Sequence, residues 1–105
     1  MTIEKILIAN RGEIAIRIAR AASELGIQTV AICSADDHLS LHTKAADKVL
    51  QLNQKGVAAY LDMEAIIVAA RNEGCQAIHP GYGFLSENVA FARRLADENI
   101  IFIGP

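Results

Sequence analysis

The chain has 105 residues, of which 52% are hydrophobic and 21% charged, with a formal net charge of -2 and a pI near 5.9. This composition is typical of one globular domain, and its slight acidity disfavours nucleic acid or an anionic membrane as the main partner, because both favour a basic surface. The longest apolar run, residues 65–70, is far shorter than the ~20 residues that cross a bilayer, so we expect a soluble chain without a membrane segment or signal peptide.

Short apolar runs alternate with longer amphipathic stretches along the whole chain. An apolar run bounded by turn residues predicts a buried strand, and apolar residues spaced three or four apart predict a helix. In chain order, these patterns predict a strand at 6–9, a helix at 13–25, strands at 29–33 and 48–52, a helix at 62–73, a strand at 77–79, a helix at 88–98 and a strand at 100–103. The polar segment 34–44 allows a short helix. Apolar strands that alternate with helices indicate an α/β fold with a mainly parallel sheet of about five strands, covered on both faces.

The first predicted helix has an apolar face, which includes Leu25, and an opposite charged face. The charged residues are Glu13, Arg17, Arg20 and Glu24. Exposed ion pairs at i,i+4 contribute only ~0.3 kcal/mol each, so a solvated helix face is the simplest interpretation. An isoleucine beside these charges makes a protein interface the alternative.

Residues 79–84, with the sequence HPGYGF, follow the fourth predicted strand and are called the glycine loop below. Gly81 and Gly83 can adopt positive φ or let another group approach the backbone closely. Ligands of parallel α/β sheets bind beyond the carboxyl ends of the strands, where this loop and the turn at residues 10–12 are both expected. Tyr82 has no helix or strand face to fill. Its ring is expected either to cover a flat ligand or to pack over the turn or a neighbouring domain.

Other candidate sites have weaker patterns. A dinucleotide fingerprint requires three glycines between the first strand and helix, and only Gly12 is present there. His38 and His42 have i,i+4 spacing, but no further ligand motif supports a metal site, and we expect both to be hydrated. His79 ends a strand at the ligand-binding edge, where a histidine bonded to the fold is favoured over an acid or base because no nucleophile accompanies it. The two cysteines lack redox or metal spacing and are predicted to be buried thiols.

Several segments together resemble the amino-terminal domain of biotin carboxylase. They are residues 6–27, Ala46-Asp47, Tyr60-Leu61, residues 77–88 and residues 102–105. The motifs NRGEIA and HPGYGFLSEN are the specific part of this resemblance, which covers the whole chain, 1–105, as one domain. It implies a three-layer, Rossmann-like pre-ATP-grasp domain. It also implies a parent chain that continues into ATP-grasp and carboxy-terminal domains, which are absent from this sequence.

The resemblance implies the chemistry of that parent enzyme. ATP, magnesium and bicarbonate are expected to carboxylate the biotin of a carrier protein, from which a carboxyltransferase passes the carboxyl group on. No catalytic or metal-binding residue of the family falls in this span, so the chain alone is expected to be inactive and to bind no cofactor tightly. By position, Tyr82 and Gly83 match the border of the biotin pocket. Arg17, Arg20 and Glu24 match a homodimer contact.

The implied location is the bacterial cytoplasm, or the mitochondrial matrix after removal of a targeting peptide. Two other functional classes remain open from the residues alone. One is a Rossmann-type nucleotide-binding module, and the other is a non-catalytic interaction domain. The final acceptor of the carboxyl group belongs to another domain in this family and is not encoded in this span.

Overall fold

The computed structural model describes residues 2–37 and 40–104 of the chain. The strands are β1 Lys5–Ile8, β2 Gln28–Cys33, β3 Lys48–Gln51, β4 Ala77–His79 and β5 Ile101–Phe102. The helices are α1 Gly12–Glu24, α2 Leu41–Ala45, α3 Val57–Tyr60, α4 Met63–Asn72 and α5 Val89–Asp97. The described residues form one five-stranded sheet in the order β3-β2-β1-β4-β5, with every pairing parallel. The predicted parallel α/β fold is confirmed.

The predicted elements are all present, with ends that differ by at most one residue. The polar segment contains α2, which the sequence allowed as a short helix. The sequence analysis missed α3, because four residues are too few to show a helical period. In the described part of the chain, no helix is both long and apolar enough to cross a membrane.

The larger core lies on the sheet face that α4 and α5 cover. Ile66 and Ile67 of α4 and Phe91 and Leu95 of α5 are completely buried there. The Phe91 ring meets the Phe102 ring edge to face, with centroids 5.7 Å apart. This contact packs α5 against the edge strand β5.

The opposite face has a smaller core, formed under α1. Ala15, Ala19 and Ala22 pack against the sheet there, and their small side chains let the helix approach the strands closely. Leu25 was expected to share this buried face, but it is 76% exposed. It follows the last residue of α1, and no helix other than α1 contributes to this cluster in the described residues. The sheet surface beside Leu25 is therefore left partly open.

The order of the strands creates a crevice between β1 and β4. These strands are hydrogen-bonded neighbours, yet β1 leads to α1 on one face of the sheet and β4 leads toward α5 on the other. The two connections diverge at the carboxyl edge, which is where ligands bind in open α/β sheets. The turn at residues 10–12 and the glycine loop border this crevice, as predicted.

Candidate functional site

Asn10 joins the turn after β1 to the glycine loop. Its side chain is buried, and Nδ2 donates to the carbonyl oxygens of Pro80 at 2.6 Å and Tyr82 at 2.7 Å. Its Oδ1 accepts a hydrogen bond of 2.7 Å from the backbone N–H of Arg11. Both amide donors are thus used to bridge two distant segments. The sequence analysis missed this residue, because an asparagine in a turn is usually a local turn former.

Gly81 is pressed against both Asn10 and α1. Its φ is +65°, and a Cβ at this position would lie 2.6 Å from Cγ2 of Ile14 and 2.9 Å from Nδ2 of Asn10. No substituent fits without movement, so Gly81 has both features that the sequence allowed, positive φ and a close approach. Gly83 also has positive φ, +72°, but a Cβ there would point into open space. The two glycines therefore meet different requirements.

His79 holds the first part of the glycine loop. Its Nδ1 accepts a hydrogen bond of 3.1 Å from the backbone N–H of Gly81. Burial lowers the pKa of the imidazole, which favours the neutral ring that this acceptor role requires. His79 is thus bonded to the fold, as the sequence favoured.

Phe84 closes the other side of the glycine loop. It adopts a φ of +46°, a strained conformation for a residue with a side chain, which costs ~1–3 kcal/mol. Its ring packs on Tyr60, with centroids 5.3 Å apart. The Tyr60 hydroxyl donates to Asp37 at 2.8 Å, and Asp37 also accepts two hydrogen bonds from the Arg11 guanidinium, at 2.8 and 3.0 Å. A continuous set of contacts therefore links the loop, through Phe84 and Tyr60, to Asp37 and Arg11.

The charges in this network are fixed. The hydrogen bonds from Arg11 hold the pKa of Asp37 well below its usual range, and the same contact raises the pKa of Arg11. Burial raises the pKa of Tyr60 to about 12. At neutral pH, Asp37 is therefore an anion and Tyr60 a neutral donor. We interpret the network as a support for the loop rather than as an acid–base pair.

The side chain of Tyr82 extends away from this support and is 73% exposed. Only its backbone carbonyl is held, by Asn10. The backbone N–H groups of Tyr82 and Gly83 have no acceptor in the part of the chain that the structure describes. The loop thus carries an exposed aromatic ring and two N–H groups that no other described residue engages.

A groove of about 580 Å³ lies along the open part of the α1 face and includes Tyr82 in its lining. Its lining is mainly aliphatic and includes Ile14, Ile18, Leu25, Ile27 and Ile103. We call it the apolar groove. A contiguous apolar surface of this kind marks a ligand site or an interaction site.

The structure brings only some of the predicted site residues together. Tyr82 and Arg17 line the apolar groove, and Gly83 follows Tyr82 in the glycine loop. Arg20 and Glu24 are exposed on α1 and do not line it. The exposed pair between Glu13 and Arg17 forms at 3.2 Å, whereas no ion pair joins Arg20 to Glu24 in residues 2–37 and 40–104. The charged face of α1 is therefore available to solvent or to a partner.

The remaining candidates are structural. His42 is not hydrated as expected but almost completely buried, with Nε2 3.1 Å from the carbonyl oxygen of Ile32, because α2 packs beside β2. His38 lies outside the described residues. Cys33 and Cys75 are buried free thiols, as predicted, and burial raises the pKa of Cys75 to about 11. Within the described ranges, no group of three or more metal-ligating side chains is present.

Comparison with known proteins agrees with this architecture. The chain matches the family described as "Biotin carboxylase, N-terminal domain" over residues 2–105. It is 55% identical to pyruvate carboxylase of Bacillus subtilis, over 99% of this chain and 9% of that protein. It is 52% identical to biotin carboxylase of Nostoc sp., over 100% of this chain and 24% of that protein.

A solved structure shows the same fold. It is the biotin carboxylase domain of Hydrogenobacter thermophilus 2-oxoglutarate carboxylase, crystallised with MgADP, ADP and bicarbonate. That domain has a TM-score of 0.96 and 48% identity to the chain, over 100% of this chain and 23% of that one. The chain thus spans at most about a quarter of these relatives. A lone Rossmann-type nucleotide-binding module is not favoured, and the chain belongs to the family of biotin carboxylase amino-terminal domains.

Proposed function

We propose that this chain is the part of an ATP-dependent biotin carboxylase that shapes the biotin side of the active site. The parent enzyme uses ATP, magnesium and bicarbonate to carboxylate biotin on a carrier protein. The observation that supports this most is the hydrogen-bonded glycine loop at the β1–β4 crevice, which carries the exposed Tyr82 ring and two N–H groups without an acceptor among residues 2–37 and 40–104.

The residues of the loop suit biotin. Its bicyclic body is apolar and compact, and its ureido oxygen accepts hydrogen bonds. Tyr82 would hold the body by ring contact, and the N–H groups of Tyr82 and Gly83 would donate to a carbonyl acceptor. When bound, biotin supplies the ureido nitrogen that receives the carboxyl group. The chain's own part is to orient biotin and to keep water away from the activated carboxyl donor, which hydrolyses readily.

The reactive groups come from other domains in this proposal. Two polar residues at the crevice, Asn10 and His79, are both bonded to the loop backbone. Asn10 has no titratable group, and Nδ1 of His79 is occupied by the Gly81 N–H. We therefore expect the purified 105-residue chain to show no bicarbonate-dependent ATP cleavage, measured as phosphate release. Turnover by this chain alone would contradict the division of labour.

The apolar groove supports packing against further domains of the same parent chain. Leu25 in its lining is 76% exposed, and leaving such an apolar surface in water is unfavourable for an isolated domain. We propose that the ATP-grasp and carboxy-terminal domains cover this surface in the parent. The carrier protein and the carboxyltransferase act on biotin from outside it. The location is the bacterial cytoplasm or the mitochondrial matrix.

The charged face of α1 supports a homodimer contact through Arg17, Arg20 and Glu24. Charge reversal by Arg20→Glu in the parent enzyme is expected to shift sedimentation from dimer toward monomer. Arg93→Glu is the matched control, because Arg93 is exposed on α5 at the opposite side of the sheet. Equal sedimentation of Arg20→Glu and the unaltered enzyme would contradict the contact.

The biotin role is tested with Tyr82→Ala in the parent enzyme. We expect the KM for free biotin to rise about tenfold, the effect of losing ~1–2 kcal/mol of ring contact, with the KM for ATP unchanged. Val68→Ala, which removes an exposed side chain from α4, is the control. Unchanged biotin kinetics in Tyr82→Ala would exclude the proposed role.

A further inference from the structure

The side chain of Asn10 continues the sheet where its backbone ladder stops. The backbone N–H of Ala9 donates to the carbonyl oxygen of His79 at 3.0 Å, which is the last backbone–backbone bond between these two segments in the described residues. Past this point the segments diverge toward opposite faces. Asn10 is the next residue, and its amide reaches across the crevice to the carbonyls of Pro80 and Tyr82.

We propose that Asn10 is a positioning residue for biotin, which sets the height and direction of Tyr82 and Gly83 above the crevice. This inference rests on the proposed role of the glycine loop in holding biotin. Asn10 does not contact biotin itself, because its side chain is buried beneath the loop and both of its donors are engaged.

The chemistry of the contact requires an amide donor. Nδ2 gives one N–H to each of two carbonyl oxygens that are two residues apart in the loop. A carboxylate of the same shape would place an oxygen against both carbonyls and repel them. Alanine would leave both carbonyls without this donor, the Pro80 carbonyl in a buried position and the Tyr82 carbonyl in a part-buried one. The bond to Tyr82 is the important one for function, because it fixes the peptide between Tyr82 and Gly83.

Gly81 makes this contact possible. A side chain there would press on Nδ2 of Asn10, which a Cβ would approach to 2.9 Å. The loop can therefore lie close enough for two short hydrogen bonds only with glycine at this position. The hydrogen bond from the Gly81 N–H to His79 Nδ1 holds the peptide between Pro80 and Gly81, and the carbonyl of that peptide accepts from Asn10. Asn10 and His79 together leave the loop backbone little freedom between them.

The fold contains a natural control for this inference. Gln76 bridges the same pair of strands at the opposite, amino-terminal edge of the sheet, where its Oε1 accepts from the backbone N–H groups of Glu4 and Lys5 at 3.0 and 2.9 Å. It is also a side-chain amide that makes two backbone hydrogen bonds. Its loss should weaken the domain without moving the glycine loop.

The experiment compares Asn10→Asp, Gln76→Ala and Tyr82→Ala in a biotin carboxylase that contains this chain as its amino-terminal domain. KM and kcat are measured with free biotin varied and, separately, with ATP varied, and unfolding temperatures are recorded. For Asn10→Asp we expect a roughly tenfold higher KM for biotin, with the KM for ATP within about twofold. Gln76→Ala is expected to lower the unfolding temperature without changing either KM.

The outcomes separate the inference from the function on which it rests. If Tyr82→Ala raises the KM for biotin but Asn10→Asp does not, or if Asn10→Asp changes both KM values alike, the positioning role of Asn10 is wrong and the biotin role of the loop stands. If Tyr82→Ala leaves biotin kinetics unchanged, both proposals fail. If Asn10→Asp does not fold, Asn10→Ser, which keeps a shorter hydrogen-bond donor, is measured in its place. Its change in the KM for biotin is then compared with its change in the KM for ATP in the same way.

Discussion

Replacing Gly81 by alanine tests whether the glycine loop is held as tightly as its contacts indicate. The left-handed backbone at φ +65° costs an alanine ~1–2 kcal/mol relative to glycine. The new Cβ would lie 2.6 Å from Ile14 and 2.9 Å from Nδ2 of Asn10, and such overpacking costs a further ~1–3 kcal/mol. Ile14 is only half-buried and can move, but Asn10 is bonded on both sides. We therefore expect Gly81→Ala to lower the free energy of unfolding by ~2–5 kcal/mol.

Gly83→Ala is the matched control for this prediction. Its φ of +72° is nearly the same, but its Cβ would meet nothing, so only the backbone cost of ~1–2 kcal/mol is expected. Urea unfolding of the 105-residue chain, followed by circular dichroism, gives both values. Introducing Gly81→Ala into an Asn10→Ala background should reduce its cost, since one of the two obstructing groups is gone. Equal destabilisation by the two glycine substitutions would refute the close approach at Gly81.

Three further predictions concern the support of the loop and the core. Because the pKa of Asp37 is depressed in the folded state from its ordinary value of 3.8, its contribution to stability is present above that pH and is lost as the pH falls below it. Asp37→Asn, which also weakens the contact with Arg11, should therefore be most destabilising at neutral pH, and its deficit in urea titrations should shrink below about pH 4; a deficit independent of pH would contradict the ion pair. Tyr60→Phe keeps the ring but loses the hydroxyl, so we expect a decrease of ~1–2 kcal/mol in the same urea assay, and no change would mean that the hydroxyl bond adds nothing. Cys33 and Cys75 should react with iodoacetamide at pH 8 only after unfolding, as mass spectrometry would show, and rapid labelling of the native chain would disprove their burial.

The sequence was most informative where residue type and local pattern agree. The alternating apolar runs predicted the strands of the sheet, and the pair of glycines after β4 indicated a loop that needs positive φ or a close backbone approach. It failed at Leu25, because a periodic apolar face shows which side of a helix is apolar but not whether anything covers it. It failed at α3 for a different reason, since a helix of four residues has no period to detect.

The support beneath the glycine loop could not be predicted from spacing. Asn10 and Tyr82 are 72 residues apart, and Asp37 and Tyr60 are joined only after separate strands come side by side. Such contacts depend on strand order, which local patterns do not encode. Asn10 could have been suspected only from its position directly after the strand that neighbours β4 at the crevice.

The sequence by itself determined the α/β class, the family and the loop that carries Tyr82, because hydrophobic period, turn residues and motif are properties of neighbouring positions. Only the tertiary structure decided that Asn10 holds this loop, that Phe84 and Tyr60 support it, and that the α1 face is left partly open. These features follow from the order in which five parallel strands pair, which brings distant residues within hydrogen-bonding distance. A short asparagine side chain can bridge the crevice only because β1 and β4 are direct neighbours in that order.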